Sequence, residues 1–195
     1  MSSRLIALAV CVGLGLVLAS CGGKSPPRNL DNACAIARDR GDIYRAMKAT
    51  ERKWGVPVHV QMATIHQESK FDDDARTPYR WGLGVIPMGR ASSAYGYAQA
   101  LDATWDDYKR GPGRSGAKRT NIRDATDFIG WYMDTSYRKL GIPKNDARRQ
   151  YLAYHEGHGG YKKGSYNAKP WLINVASSVQ SRSYAYQTQL RACGK

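Results

Sequence analysis

Apolar residues recur at helical intervals along most of this chain, glycine or proline closes each such stretch, and no strand-like alternation is sustained anywhere. Ile36, Ile43, Met47 and Trp54 define one helix, stopped by Gly55 with Pro57 two residues on. Three more are read from Leu101 to Lys109, from Asp124 to Leu140 before Gly141, and from Asp146 to Glu156 before the glycines at 157, 159 and 160. A last helix runs from about Pro170 to Leu190, with Trp171, Val175, Val179 and Tyr186 near helical spacing and Pro170 suited to the first turn. Val58 to Ile65 stays open: its β-branched residues suit a strand, while Met62, Ala63 and Ile65 suit a buried helix equally well. Lys70 to Ser93 is rich in Gly, Pro, Asp and Arg without periodicity, and a loop of that length in a compact domain is usually functional, here as the wall of a cleft. The fold class is therefore mainly α, with room for a small β-hairpin in the long loop.

The first twenty residues belong to a different solvent. Arg4 precedes an uncharged run from Leu5 to Ser20, too short for the ~20 residues of a spanning helix but suited to the apolar region of an export signal. Its end, Leu18-Ala19-Ser20-Cys21-Gly22, resembles the lipobox of bacterial lipoproteins, in which the cysteine is lipidated and becomes the new N-terminus. The resemblance implies a signal peptide over residues 1–20, an acylated Cys21 and a membrane anchor. Gly22 in place of an aspartate resembles the pattern that sorts Gram-negative lipoproteins to the outer membrane, facing the periplasm. Residues 21–28, with Lys24-Ser25-Pro26-Pro27, read as a tether, and residues 29–195 as one domain, in keeping with about 100–200 residues per domain.

Of the four cysteines, Cys11 leaves with the signal and Cys21 is assigned to lipid, so Cys34 and Cys193 remain to form a disulfide in an oxidising compartment. The net charge is +14, and loss of the signal removes only Arg4. An anionic partner is expected, and export takes nucleic acid out of reach, leaving acidic lipid or carboxylate-bearing wall polymer. Oligomeric state is not legible.

Cleaving a glycosidic bond near neutral pH requires a proton on the leaving oxygen, hence a carboxylic acid whose apolar setting raises its pKa. Glu68 meets that description, following Met62, Ala63 and Ile65 and preceding Phe71. A lone glutamate there would ordinarily be a solvated charge at a helix end. Its companions change that reading. Ile65-His66-Gln67-Glu68-Ser69-Lys70-Phe71, then Gly96-Tyr97-Ala98-Gln99, then Leu152-Ala153-Tyr154-His155-Glu156-Gly157 resemble, in order, three motifs of SLT-type lytic transglycosylases: Glu-Ser, Gly-Leu-Met-Gln and Ala-Tyr-Asn-Ala-Gly. The resemblance spans about residues 55 to 190.

It implies a lysozyme-like helical domain with Glu68 as the catalytic acid at the end of a buried helix. Ser69, Gly96, Tyr97, Gln99, Tyr154 and His155 would line the substrate cleft, and Gly96 and Gly157 would permit close backbone approach. Without the motifs, Tyr154 would read as a core aromatic and Gln99 as a helix cap. His155 and Glu156 depart from the family's Asn-Ala, and Trp171, Asn174 and Tyr184 are all candidates for the residue the last helix brings towards the acid. His155 and His158 invite a zinc reading, but the zinc-protease helix spaces its histidines four apart, and glycines 157, 159 and 160 interrupt the helix.

Most glycosidases use two carboxylates. Only Glu68 is clearly placed here, since Asp72, Asp73 and Asp74 open a polar loop where aspartates usually form turns. The family resemblance implies a single-acid reaction on peptidoglycan that ends in 1,6-anhydromuramyl products and needs no metal or cofactor. Three alternatives remain: a goose-type lysozyme-like hydrolase using a second carboxylate, a non-catalytic peptidoglycan-binding lipoprotein, and a zinc-dependent peptidase.

Overall fold

A computed structural model describes residues 25–83 and 85–195; the expected signal peptide at 1–20 and the first half of the expected tether, residues 21–24 with Cys21, lie outside the described residues. Helix α1 (Ala33–Asp39) starts at Asn32, whose side chain accepts the Ala35 N–H at 2.9 Å. The single helix expected through Ile36 and Trp54 is two, because Arg40 leaves helical geometry at φ −127°, ψ 63°. There its guanidinium holds the Asp42 carboxylate and donates to the Tyr97 hydroxyl. Helix α2 (Gly41–Trp54) then runs to Gly55, which takes the left-handed conformation at φ 70°.

Helix α3 (Val58–Ser69) resolves the open segment in favour of helix. Val58 through His66 are all buried, so α3 is the central helix of the domain rather than an amphipathic surface one. Most of its polar groups are bonded within the protein: Gln61 donates to the carbonyls of Met47 and Val56, Thr64 to that of Val60, and His59 pairs with Ser183 at 2.8 Å, while the Gln61 Oε1 is buried without a partner.

The long loop carries a two-stranded antiparallel hairpin, β1 (Tyr79–Gly82) with β2 (Ile86–Arg90), in which Tyr79 pairs with Arg90 and a register shift falls before Trp81. Then come α4 (Asp102–Arg110), α5 (Ile122–Leu140), α6 (Ala147–Lys162) and α7 (Pro170–Ala192), with a 3-10 turn at Ser165–Ala168. Helix α6 continues past its expected end at Glu156: Gly157 breaks it at φ 72°, ψ 158°, and the chain re-enters helix as far as Lys162.

Packing places α2 against α5, α3 against α7, and α6 against both α5 and α7. Fully buried Met47, Met62, Ile65, Phe128, Ile129 and Met133 fill the space between them, at about 1.5–3 kcal/mol per side chain. An aromatic chain of Trp105, Tyr108, Phe128, Tyr132 and Tyr154 runs from α4 across α5 to α6, with neighbouring ring centroids 5.1–6.3 Å apart. Cys34 and Cys193 are joined, their Cα atoms 6.3 Å apart, so the bridge ties the first turn of α1 to the residue after α7. The architecture is mainly α and lysozyme-like, with one small hairpin among the described residues.

Candidate active site

Glu68 sits in the last turn of α3, half-buried at the rim of a helix that is otherwise enclosed. Beyond it the backbone turns sharply, with Lys70 and Phe71 both left-handed at φ 54° and 64°. Gln99 is left-handed as well, at φ 47°. These three, with Leu83, are the non-glycine residues at positive φ among those described. Such strain costs of order 1–3 kcal/mol each and persists where packing over-determines it. Phe71, completely buried, supplies that packing at the Glu68 turn.

The second motif forms a turn of its own at the base of the long loop. Gly96 stands at φ 73°, and a Cβ there would fall 2.4 Å from the Arg119 carbonyl oxygen, so only glycine fits. Its N–H donates to the Ala75 carbonyl at 2.9 Å, and Gln99 Nε2 donates to the carbonyls of Ala75 and Gly96, both at 2.9 Å. Gln99 therefore pins the long loop to the motif turn. Tyr154 reaches the same turn from α6, donating to the Ala98 carbonyl at 2.5 Å. Because the Tyr154 phenol also feels the Glu68 charge, the three motifs converge on one place.

Two expected cleft residues are enclosed instead. Tyr97 is only 2% exposed, with its hydroxyl accepting from Arg40 at 3.3 Å, so it braces the turn from the core side and has almost no surface to offer a glycan. Ser69 is buried, its hydroxyl donating back to the Ile65 carbonyl at 3.4 Å.

The residue missed by sequence reasoning is Tyr151, which donates a hydrogen bond to the Glu68 carboxylate. It lies one turn before Tyr154 on α6, and that three-residue spacing of two tyrosines was the available signal. The last helix offers no equivalent group: Trp171 meets the His155 ring edge-on at 5.3 Å, Asn174 is exposed, and Tyr184 borders a separate cavity with His59 and Arg148.

Burial pushes the Glu68 carboxyl up from 4.5 to about 7, against the lowering effects of the Tyr151 hydrogen bond and the nearby Lys70 charge. Its place at the C-terminal, negative end of α3 acts in the same direction as burial. No carboxylate is among the groups that act on it. Asp72 instead accepts the Asp74 N–H at 3.0 Å, and Asp74 accepts from the Tyr95 hydroxyl at 2.6 Å, so both serve the loop. Burial, Lys70 and Arg182 together drive the neighbouring His66 down to about 4, leaving it neutral at physiological pH. The site thus holds one carboxylic acid able to give up and take back a proton near pH 7, backed by a phenol.

The His155 region is a separate cluster. Glu156 accepts from Lys169 at 2.7 Å, from Ser165 and from His155, and these partners, Lys169 foremost, hold its carboxyl down to about 2. It is an ionised strut between α6 and the start of α7. His155 is exposed beside Trp171, and no contact carries it to Glu68. His158, across the Gly157 break, stacks on Tyr132 at 4.3 Å and pairs with Ser136, so the two imidazoles serve different surroundings. Among the described residues no group of three or more His, Cys, Asp or Glu side chains is placed to hold a metal ion. A basic cavity of about 570 Å³, lined by Arg45, Arg52, Lys53 and Arg114, includes none of the motif residues.

A lysozyme-like helical domain whose central helix ends in a proton-retaining glutamate beside two tyrosines, one of them bonded to the Gly96–Gln99 turn, is of the glycan-cleaving class. The chain belongs to the transglycosylase SLT domain family, whose model matches residues 8–193. It is a peptidoglycan lytic transglycosylase, a lyase acting on glycan strands. No curated protein matches it.

Proposed function

We propose that Glu68 alone performs both proton transfers in cleaving the β-1,4 bond between N-acetylmuramic acid and N-acetylglucosamine. The observation that carries this is a carboxyl held near pKa 7 with Tyr151, rather than a second carboxylate, as its partner. In the first step the protonated Glu68 gives its proton to the glycosidic oxygen as the C1–O bond breaks, and the substrate's own acetamido group stabilises C1. The resulting carboxylate accepts the Tyr151 hydrogen bond and then removes the proton from the C6 hydroxyl. O6 attacks C1, giving a 1,6-anhydromuramyl end with no water consumed. A pKa near the working pH suits a group that must be both acid and base.

We further place this chemistry at a membrane surface: export directed by residues 1–20, acylation at Cys21, and a tether over 21–28 holding the domain of residues 29–195 at the periplasmic face of the outer membrane. The support is the lipobox-like sequence, together with the Cys34–Cys193 bridge, which an oxidising compartment maintains.

Mass spectrometry of muropeptides released from purified peptidoglycan tests the mechanism. Anhydromuramyl ends are the expected product. Reducing muramyl ends would transfer the protein to the hydrolase reading, and cleaved stem peptides to the peptidase reading. Retention of the wall polymer without release would make it a binding lipoprotein.

A further inference from the structure

Six of the ten large hydrophobic side chains exposed among the described residues lie within ten positions of the hairpin: Tyr79, Trp81, Leu83, Val85, Ile86 and Met88. At the turn, Leu83 is 92% and Val85 76% exposed. Soluble domains rarely leave so dense an apolar patch uncovered without a partner for it. The hairpin itself carries no acidic residue: from Ala75 to Leu101 there is none, and although Arg76 is paired with Asp74 at 3.5 Å, Arg80 and Arg90 are exposed on the strands.

The hairpin's place in the fold adds a second observation. Ser25, where the described chain starts, gives its carbonyl to Arg40 at 2.6 Å, and Arg40 donates onward to Tyr97 in the motif turn. That turn is fastened to the base of the long loop through Gly96 to Ala75 and the Arg76–Tyr95 bridge. The base of the hairpin is therefore tied, through the Tyr97 turn, to the point at which the described chain begins. In the processed lipoprotein proposed above, Leu5 to Ser20 is removed and the acylated Cys21 stands only four positions before Ser25, so a bilayer lies within reach of this point.

We infer that the Tyr79–Arg90 hairpin docks on an anionic lipid bilayer, its tip at Leu83 and Val85 entering the acyl boundary and its arginines resting on acidic headgroups. Aliphatic tips offer sugars no hydrogen bonds, whereas an apolar tip rimmed by arginine and aromatic side chains matches the interfacial region of a membrane. Among the described residues no helix is long and apolar enough to cross a membrane, so this is attachment at the interface. The inference rests on the lipoprotein reading and stands independently of the reaction assigned to Glu68.

The test uses the processed chain, acylated at Cys21, in phosphatidylcholine vesicles, with or without phosphatidylglycerol, each carrying brominated acyl chains that quench nearby tryptophan. The difference between wild type and Trp81→Phe isolates the signal of Trp81 from the other four tryptophans. Trp81 should be quenched in the anionic vesicles. Arg80→Gln should lower the docked-to-undocked ratio about fivefold, as one interfacial arginine warrants, and Leu83→Asp should abolish quenching. Both substituted side chains are exposed, and circular dichroism confirms that each variant is folded. Unquenched Trp81 in anionic vesicles overturns the inference. So does a Trp81 response to soluble glycan strands in place of lipid, which would make the hairpin part of the cleft, or one that grows with protein concentration, which would make it a contact between copies. None of these readings depends on turnover, so their failure leaves the lyase assignment intact.

Discussion

Replacing Glu68 with glutamine should abolish strand cleavage and, above neutral pH, make the protein more stable. The carboxyl's pKa rises from 4.5 in the unfolded chain to about 7 in the fold, chiefly through burial. Between those values the unfolded chain has released a proton that the native state still binds, so native stability falls as pH rises through the interval. The loss is complete above pH about 7 and amounts to about 3 kcal/mol. Below 4.5 both states are protonated and the loss vanishes. Glutamine is nearly isosteric, still accepts the Tyr151 hydroxyl and never ionises. Denaturant unfolding of wild type and variant should therefore agree at pH about 4 and diverge at pH about 8, with the variant ahead by about 3 kcal/mol. Muropeptide release should fall by at least about 10²–10⁴-fold, since the amide has no proton to give. A stability difference independent of pH would refute the burial argument. Near-normal turnover would remove Glu68 from the mechanism.

Tyr151→Phe keeps the ring but removes the hydrogen bond that lowers the Glu68 pKa. The alkaline limb of the pH–activity profile should move up by about 1 pH unit, with a lower maximal rate, because the carboxylate loses its donor during the base step. An unmoved limb would mean that the phenol does not act on the acid. Gly96→Ala places a Cβ against the Arg119 carbonyl at a backbone angle suited to glycine. It should cost more than about 1 kcal/mol in thermal unfolding and reduce cleavage by displacing the Gln99 turn. A variant as stable as wild type would show that the turn tolerates relaxation.

Much of the chain's local structure is written in neighbouring residues. Gly55, Gly141 and Pro170 mark helix ends because their own backbone geometry does so, whatever packs nearby. The three motif segments and the Cys34–Cys193 pair were legible for a similar reason, since residue type and order suffice to pick them out. Tertiary structure decided the rest. Val58 to Ile65 looked like strand or helix because α3 is buried on every side, and a segment with no solvent face carries no period for its pattern to follow. Tyr97 and Tyr154 stand in equivalent-looking motifs, yet Tyr97 is closed over by Arg40 from the α1–α2 break, while Tyr154 reaches across to Ala98. Tyr151 gains its role from a glutamate more than eighty positions away in the sequence. The acidity of Glu68 is likewise a property of its surroundings: the sequence names the carboxyl, but desolvation by α3, α6 and their neighbours is what raises its pKa.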